Sequence, residues 1–186
     1  WLKDTSANEL RAMPFVMERI KNVKLRREKS SRPGTRKLAL TPALFGEIRQ
    51  PDDAYILIPR HSSENRVYIP LGYEEPSKIV ADSCMSVPNA TLFHFGVLHS
   101  LMHMAWVRYV CGKLESRYRY SKDIVYNNYP WPESPTAAQT AAVEQAAQGV
   151  LDARAQSPKA SLADLYDPIT MPPALLKAHH ALDKAV

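Results

Sequence analysis

Glycine and cysteine are both scarce in this chain, which has six glycines and two cysteines in 186 residues. Cys84 and Cys111 fit no metal-binding or redox spacing, and two distant thiols do not make a disulfide scaffold. We therefore expect a reducing, cytoplasmic setting. Fifteen prolines beside so few glycines favour rigid connections over flexible linkers.

Nothing in this sequence resembles a signal peptide, and we expect no uninterrupted apolar run long enough to cross a membrane. No charged residue occurs between positions 83 and 107, but three histidines, His94, His99 and His103, interrupt that stretch. We predict a helix buried on all sides over residues 91–114, and no membrane partner. Because the first residue is Trp1 rather than Met, we expect a fragment of a longer protein.

Positive charge is concentrated in the first part of the sequence. Lys and Arg outnumber Asp and Glu by 24 to 19, giving a pI near 9.2. Residues 1–133 contain 20 basic and 14 acidic side chains, whereas residues 134–186 contain four and five. The densest block, residues 21–37, holds eight basic side chains and one acidic. Such a block either covers a solvated helix face or follows phosphates, and both interpretations stay open.

Local patterns predict an α+β fold. Three N-terminal capping motifs begin at Ser6, Thr136 and Ser161. Prolines favour a helix with Pro14 in its first turn and a last helix that opens at Pro172-Pro173. We expect a small antiparallel or mixed sheet, a long buried central helix with flanking helices, and a helical C-terminal segment. The predicted domains are residues 1–125, for recognition, and residues 126–186, which pack on them.

Two segments rich in strand-forming residues, 54–60 and 67–71, predict a hairpin with a polar tip at residues 61–66. A third strand is expected near residues 79–87. In extended backbone, side chains two residues apart project from one face, so Glu64 and Arg66 would point the same way.

Three patterns resemble catalytic motifs without completing them. His99 and His103 have zinc-ligand spacing but no intervening Glu, so we predict histidines hydrogen-bonded inside the core. Asp52 with Glu64 and Arg66 resembles a nuclease pattern, but an Arg stands where a Lys is expected, and it cannot act as a base.

The third pattern, Asn-Asn-Tyr-Pro at residues 127–130, shares letters with the Asn-Pro-Pro-Tyr loop of adenine methyltransferases in a different order. We predict that the aromatic, proline-bounded stretch at residues 126–132 is a structural clamp. A glycine-rich loop for S-adenosylmethionine is also missing from the sequence. We therefore predict no catalytic, cofactor-binding or metal-binding residue in this chain.

Six segments taken in order carry a family resemblance. They include Thr-Pro-Ala-Leu-Phe-Gly-Glu-Ile-Arg-Gln-Pro, the Ser-Ser-Glu-x-Arg tip followed by Tyr-Ile-Pro, and Tyr-Asn-Asn-Tyr-Pro-Trp-Pro-Glu, and they lie at residues 41–51, 62–70, 89–96, 102–108, 126–133 and 163–168. Together they resemble the C-terminal part of the MmeI-type family, large bacterial DNA methyltransferases often fused to a restriction nuclease. The resemblance covers essentially the whole chain.

The resemblance implies a target recognition domain followed by a C-terminal helical segment. Its implied function is to recognise double-stranded DNA for an adenine-N6 DNA methyltransferase of a restriction-modification system. The implied partners are double-stranded DNA and a methyltransferase domain of the same polypeptide. S-adenosylmethionine, and Mg²⁺ if a nuclease is fused, would be bound outside this fragment.

The candidate DNA-binding residues combine basic groups with the polar tip. We expect Glu64 and Arg66 to contact base edges, because Arg pairs with guanine and Glu accepts from cytosine. Basic and hydroxyl side chains would hold phosphates: Arg32, Arg36, Lys37, Arg49, Arg60, Ser62 and Ser63.

Alternatives to each of these assignments stay open. Glu64 could instead form an exposed ion pair with Arg60 or Arg66. The whole chain could be a helical protein-interaction module, or a metal-dependent nuclease that would lose its activity on Asp52→Ala.

Overall fold

The computed structural model describes residues 2–186. Its helices are α1 (Ala7–Arg11), α2 (Pro14–Glu28), α3 (Pro33–Lys37), α4 (Leu92–Leu98), α5 (Leu101–Val110), α6 (Ala137–Ala155), α7 (Leu162–Leu165) and α8 (Pro173–Ala185). Its strands are β1 (Tyr55–Pro59), β2 (His61–Ser62), β3 (Gly72–Glu74), β4 (Cys84–Pro88), β5 (Gly112–Leu114) and β6 (Arg117–Arg119). This mixture of helices and small antiparallel sheets confirms the α+β prediction.

The packing divides the chain into two compact units. The first unit extends to Gln50, and the second is Pro51–Val186. The division at residue 125 that the sequence suggests stays a prediction.

The helix starts follow the local sequence. The side chains of Ser6, Thr136 and Ser161 each accept a hydrogen bond from the backbone amide three residues later. In return, the side chain of that later residue accepts a hydrogen bond from the backbone amide of the capping residue. Pro14 and Pro173 each occupy the first turn of a helix. These predictions are confirmed because capping depends only on neighbouring residues.

The first unit contains α1, α2, α3 and a 3₁₀ turn at Leu38–Leu40. None of the side chains of α2 is buried, and Phe15 is 80% exposed. The interior of this unit therefore contributes little apolar burial, and polar contacts of the arginines take a larger part in closing it.

The first sheet of the second unit corrects the predicted hairpin. Its strand order is β3-β1-β4, all antiparallel, with Ile56 opposite both Tyr73 and Val87. Residues 67–71 are not a strand, although several of their side chains are buried. The prediction was wrong because residues that favour strands also favour burial, and these are buried in a loop.

The second sheet has the order β2-β6-β5 and is also antiparallel. Arg60 links the two sheets through its backbone. Its amide donates to the Ser83 carbonyl at 2.9 Å, and its carbonyl accepts from the Tyr120 amide at 2.7 Å. The chain thus leaves the first sheet at Pro59 and enters the second at His61, so the two strands predicted around the polar tip do not pair with each other.

The predicted central helix is two helices, α4 and α5, broken at His99 and Ser100. The prediction of burial on all sides is wrong for α5, because Met102 is 63% and Tyr109 92% exposed. Ser100 caps α5, because its hydroxyl accepts from the His103 amide at 3.2 Å and donates to the Val97 carbonyl at 2.8 Å. A serine capping its own chain stops one helix and starts the next. None of the helices in residues 2–186 combines the length and apolar character needed to cross a bilayer.

The C-terminal helices pack directly on α4 and α5. At Gly96, an added Cβ would lie 2.7 Å from Val143 Cγ1, so only glycine lets α4 and α6 come this close. In α8, Asp183 accepts from the Tyr68 hydroxyl at 2.6 Å and from the Leu101 amide at 2.8 Å. The C-terminal helix is therefore fixed both to the loop between β2 and β3 and to the start of α5.

Candidate nucleic-acid interface

Arg27, within the basic block, has a structural task. Its guanidinium donates to the carbonyls of Leu38, Thr41 and Leu44 at 2.9, 3.0 and 2.9 Å. These bonds satisfy a carbonyl at the start of the 3₁₀ turn and two carbonyls in the irregular segment that follows it. Arg27 is therefore engaged within the protein, and neither the solvation nor the phosphate interpretation describes it.

The four candidate residues of the first unit differ in whether their side chains have hydrogen-bond or ion-pair partners within the protein. Arg36 donates to the carbonyls of Ser30 and Ser31, both at 2.9 Å. Arg49 pairs with Glu47 at 2.6 Å, with both side chains exposed. Arg32 and Lys37 are exposed, and no carboxylate in the described part of the chain lies within ion-pair distance of either. Lys37 is the least engaged cation of α3.

The candidates Arg60 and Ser62 differ in exposure, since Arg60 is exposed but has internal partners, whereas Ser62 is buried. The Arg60 guanidinium donates to the Cys84 carbonyl at 3.3 Å and lies 3.7 Å from Asp82. Ser62 is only 4% exposed, and its hydroxyl has no hydrogen-bond partner among the described residues. In this conformation the Ser62 hydroxyl is not accessible to an approaching phosphate.

The predicted tip is a tight turn rather than extended backbone. The Arg66 amide donates to the Ser63 carbonyl at 3.2 Å, and the Ser63 hydroxyl accepts from the Asn65 amide at 3.2 Å. The expectation that extended geometry aligns Glu64 and Arg66 is therefore wrong. Both residues still follow β2 closely in the chain, and both are partly exposed.

The partner of Glu64 lies on another element. A hydrogen bond from the Ser116 hydroxyl holds the pKa of the Glu64 carboxyl below its usual value, assisted by the residue's own amide and by the charges of Arg117 and Lys113. Within residues 2–186 neither Arg60 nor Arg66 forms an ion pair with it. The β5–β6 hairpin therefore borders the predicted tip, which the sequence analysis missed.

A detectable sequence signal for this hairpin is the alternation Arg-Tyr-Arg-Tyr at residues 117–120. Period-two alternation indicates a strand with one basic face and one aromatic face. In the structure Tyr118 is buried, whereas Arg117 and Arg119 are exposed.

The central histidines lie in a buried polar network, as predicted. Arg154 Nη2 lies 3.2 Å from both ring nitrogens of His99, and Arg154 Nε lies 2.9 Å from the Tyr166 hydroxyl. Tyr166 is in turn 2.7 Å from His179 Nε2. Burial, with the Arg154 charge second, lowers the pKa of His99 well below its ordinary value and that of His179 to about 3.

His103 is buried separately, with Nε2 3.1 Å from the Tyr120 hydroxyl. Burial lowers the pKa of His103 to about 4. The prediction that His99 and His103 are hydrogen-bonded core residues is confirmed. In the described chain no group of three or more His, Cys, Asp or Glu side chains could hold a metal ion.

The aromatic stretch at residues 126–132 is packed as a clamp. Tyr129 is 6% exposed and meets His103 and Trp131 edge to face. The Asn128 amide donates to the carbonyls of Asp123 and Ile124 at 2.7 and 3.2 Å. The groups that a methyltransferase loop would direct at a base are used internally, so the clamp prediction is confirmed.

An apolar groove of about 490 Å³ lies along α5 in the second unit. Its walls include Met102, Trp106, Tyr109 and Pro130, and Tyr109 is 92% exposed. It contains few polar groups that could orient a small polar ligand. Its composition suits a protein contact better than a nucleic acid.

Comparison with known proteins identifies the two parts of the chain. A family model described as the MmeI target recognition domain matches residues 1–133, and a second, described as the MmeI C-terminal domain, matches residues 135–186. The chain belongs to the MmeI family. The family resemblance of the six sequence segments is thereby confirmed.

Two relatives extend the MmeI match over the whole chain. A solved structure, described as the type IIL restriction-modification enzyme MmeI in complex with DNA, is 50% identical and covers all of this chain, with a TM-score of 0.94. DNA methyltransferase A of Bacillus subtilis (strain 168) is 39% identical over 186 residues. The chain spans 25% of the MmeI chain and 21% of the methyltransferase.

Proposed function

We propose that this chain is the sequence-specific double-stranded DNA recognition module of an S-adenosylmethionine-dependent adenine-N6 DNA methyltransferase of a restriction-modification system. The observation that carries the proposal is the 50% identity and TM-score of 0.94, over the full chain, to an enzyme solved with DNA. The methyltransferase domain would belong to the same polypeptide. Such a module would act in the cytoplasm, where bacterial DNA is found.

Exposed positive charge supports contact with the phosphate backbone. Lys37 and Arg32 in the first unit and Arg66 in the second are basic side chains without an ion-pair partner in the described chain. Phosphate contacts supply most of the affinity for duplex DNA and orient a protein on it. Arg36, Arg49 and Arg60 already have internal partners, so their phosphate contacts would compete with these.

The turn at residues 63–66 is the proposed site of base recognition. An acidic side chain on a DNA-facing surface repels phosphates, so it needs a compensating role such as a base contact. A carboxylate accepts from the amino group of cytosine, and a guanidinium donates to O6 and N7 of guanine. Glu64 and Arg66 supply one group of each kind.

The isolated chain should neither bind S-adenosylmethionine nor transfer a methyl group. The reason is that Asn128 and Tyr129 are engaged in internal packing and that the sequence has no glycine-rich loop. Titration calorimetry of the chain with S-adenosylmethionine should show no saturable heat. Saturable binding would contradict the proposal that S-adenosylmethionine is bound outside this chain.

Duplex binding by the chain should weaken steeply with salt, because each phosphate contact releases counterions and contributes about 0.9 to the slope of log K against log salt. Lys37→Ala should reduce that slope by roughly 0.9 for every duplex sequence alike. Fluorescence anisotropy at several salt concentrations measures both. Arg27→Ala is not a usable control, since Arg27 holds three carbonyls.

The apolar groove along α5 favours a second candidate function, a protein-interaction module. On that account the basic side chains only solvate the surface, and duplex affinity would follow net charge without sequence preference. A sequence-independent affinity that Lys37→Ala lowers no more than Lys177→Ala does would favour this alternative.

A further inference from the structure

The β5–β6 hairpin borders the turn at residues 63–66 through the register of the second sheet. His61 pairs with Arg119, and Ser62 pairs with Tyr118. Because successive side chains alternate between faces, Tyr118 points into the core while Arg117 and Arg119 lie on the outer face. The outer face of this hairpin is therefore cationic, and it lies beside the last residues before the turn.

The tip of the hairpin is a two-residue turn. Leu114 pairs with Arg117, which leaves Glu115 and Ser116 as the connecting residues. Glu115 has a φ of 57°, in the left-handed region that favours glycine. Its carboxylate pairs with Arg117 at 2.5 Å. The turn places Ser116 at the outer end of the hairpin.

We propose that the β5–β6 hairpin is a second element of the DNA interface, in which Ser116 positions the Glu64 carboxylate for a base edge and Arg119 binds a phosphate. This inference rests on the proposed function of the chain. It assigns Ser116 as a positioning residue, because its hydroxyl acts on Glu64 and not on DNA.

The positioning role follows from the freedom of a glutamate side chain. An unrestrained Glu64 has several rotamers, and fixing one of them on binding costs free energy. The register of β2 with β6, continued past Ser62 and Tyr118, brings Ser116 opposite Glu64. On this proposal the Ser116 hydroxyl donates to the carboxylate, fixes that rotamer beforehand and occupies only part of the acceptor capacity. The remaining lone pairs stay available for an amino group of a base.

The phosphate role follows from the contrast between the two arginines of β6. Arg117 is paired with Glu115, whereas Arg119 has no carboxylate within ion-pair distance in the described part of the chain. The surface opposite Arg119 is open, because a Cβ added to its partner Gly112 would have nothing within 4 Å. An uncovered guanidinium suits a bidentate contact with a phosphate.

The test separates the two roles with four variants of the chain. The duplex preferred by the wild-type chain is first selected from a random library, and binding is then measured to it and to single-base variants at several salt concentrations. Ser116→Ala removes the hydroxyl and Ser116→Thr retains it. Arg119→Gln removes the proposed phosphate contact, and Lys177→Gln on exposed α8 is its matched control for loss of one charge.

We expect Ser116→Ala to reduce discrimination at one base position at least about threefold without changing the salt slope, and Ser116→Thr to restore it. Arg119→Gln should lower the slope of log K against log salt by roughly 0.9 and weaken all duplexes alike. Unchanged discrimination in Ser116→Ala, or the same slope in Arg119→Gln as in Lys177→Gln, overturns the inference. A wild-type chain that binds no duplex overturns the proposed function as well.

Discussion

Exchanging the two charges of the turn, Glu64→Lys with Arg66→Asp, should change which base is accepted at one position of the DNA target. Lysine donates where glutamate accepts, and aspartate accepts where arginine donates, so the complementary base edges are exchanged. A good bidentate contact discriminates against the wrong base by roughly 5- to 150-fold. The preference at that position should reverse by a factor of this size.

The measurement is a selection of bound duplexes from a random library, repeated as a methylation assay on the longer polypeptide. Glu47→Lys with Arg49→Asp is the matched control, because it exchanges the charges of an exposed pair with the same spacing. It should alter affinity for all duplexes and leave the preferred sequence as it was. A Glu64 and Arg66 exchange that keeps the original target at full affinity would assign the turn a scaffold role.

Acid should destabilise the chain strongly through its buried histidines. Burial lowers the pKa of His103 to about 4 and of His179 to about 3, from an ordinary value of 6.5. Below pH 6.5 the unfolded chain therefore binds protons that the folded chain does not, so stability is complete above that pH and falls as pH decreases. The decrease continues to about pH 4 for His103 and about pH 3 for His179.

Each such histidine removes about 2 kcal/mol from the free energy of unfolding by pH 5, so the pair removes about 4 kcal/mol, a large share of the stability of a typical domain. His99, whose pKa is lowered in the same direction, adds to this loss. Urea unfolding at pH 7, 6 and 5 measures the effect.

A variant that cannot titrate tests the assignment. His103→Gln can still bond to the Tyr120 hydroxyl, and it should lessen the pH dependence by about 1.4 kcal/mol per pH unit below pH 6.5. His180→Gln, at an exposed position of α8, is the matched control. Equal pH dependence in the two variants would exclude His103 as a source of acid sensitivity.

The helix starts were predictable because each depends on a few neighbouring residues. Ser6, Thr136 and Ser161 cap helices with bonds that span three residues. Ser100 acts by the same chemistry, but it lies inside an uncharged stretch whose burial favoured one continuous helix. The expectation of burial on all sides outweighed that local serine signal, and it is wrong for α5, where Met102 and Tyr109 are exposed.

Contacts between distant residues could not be predicted from the sequence. Residues 67–71 have the composition of a strand, and only the packing of the whole unit decides that Gly72–Glu74 pairs with β1 instead. The proximity of the turn at Glu64 to the β5–β6 hairpin depends on the pairing of β2 with β6, whose residues lie far apart in the chain. Ser62 is buried for the same reason, because the hairpin that flanks it follows much later in the chain.

The attachment of the C-terminal helices has a consequence for building chimeric enzymes with new specificities. The boundary between the two family segments falls near residue 134, yet Arg154 reaches His99 and Asp183 reaches both Tyr68 and Leu101 across it. A graft that ended there would separate Arg154 from His99 and leave its buried guanidinium without that native partner. The exchangeable cassette is therefore Pro51–Val186 carried whole, with its native pairs intact.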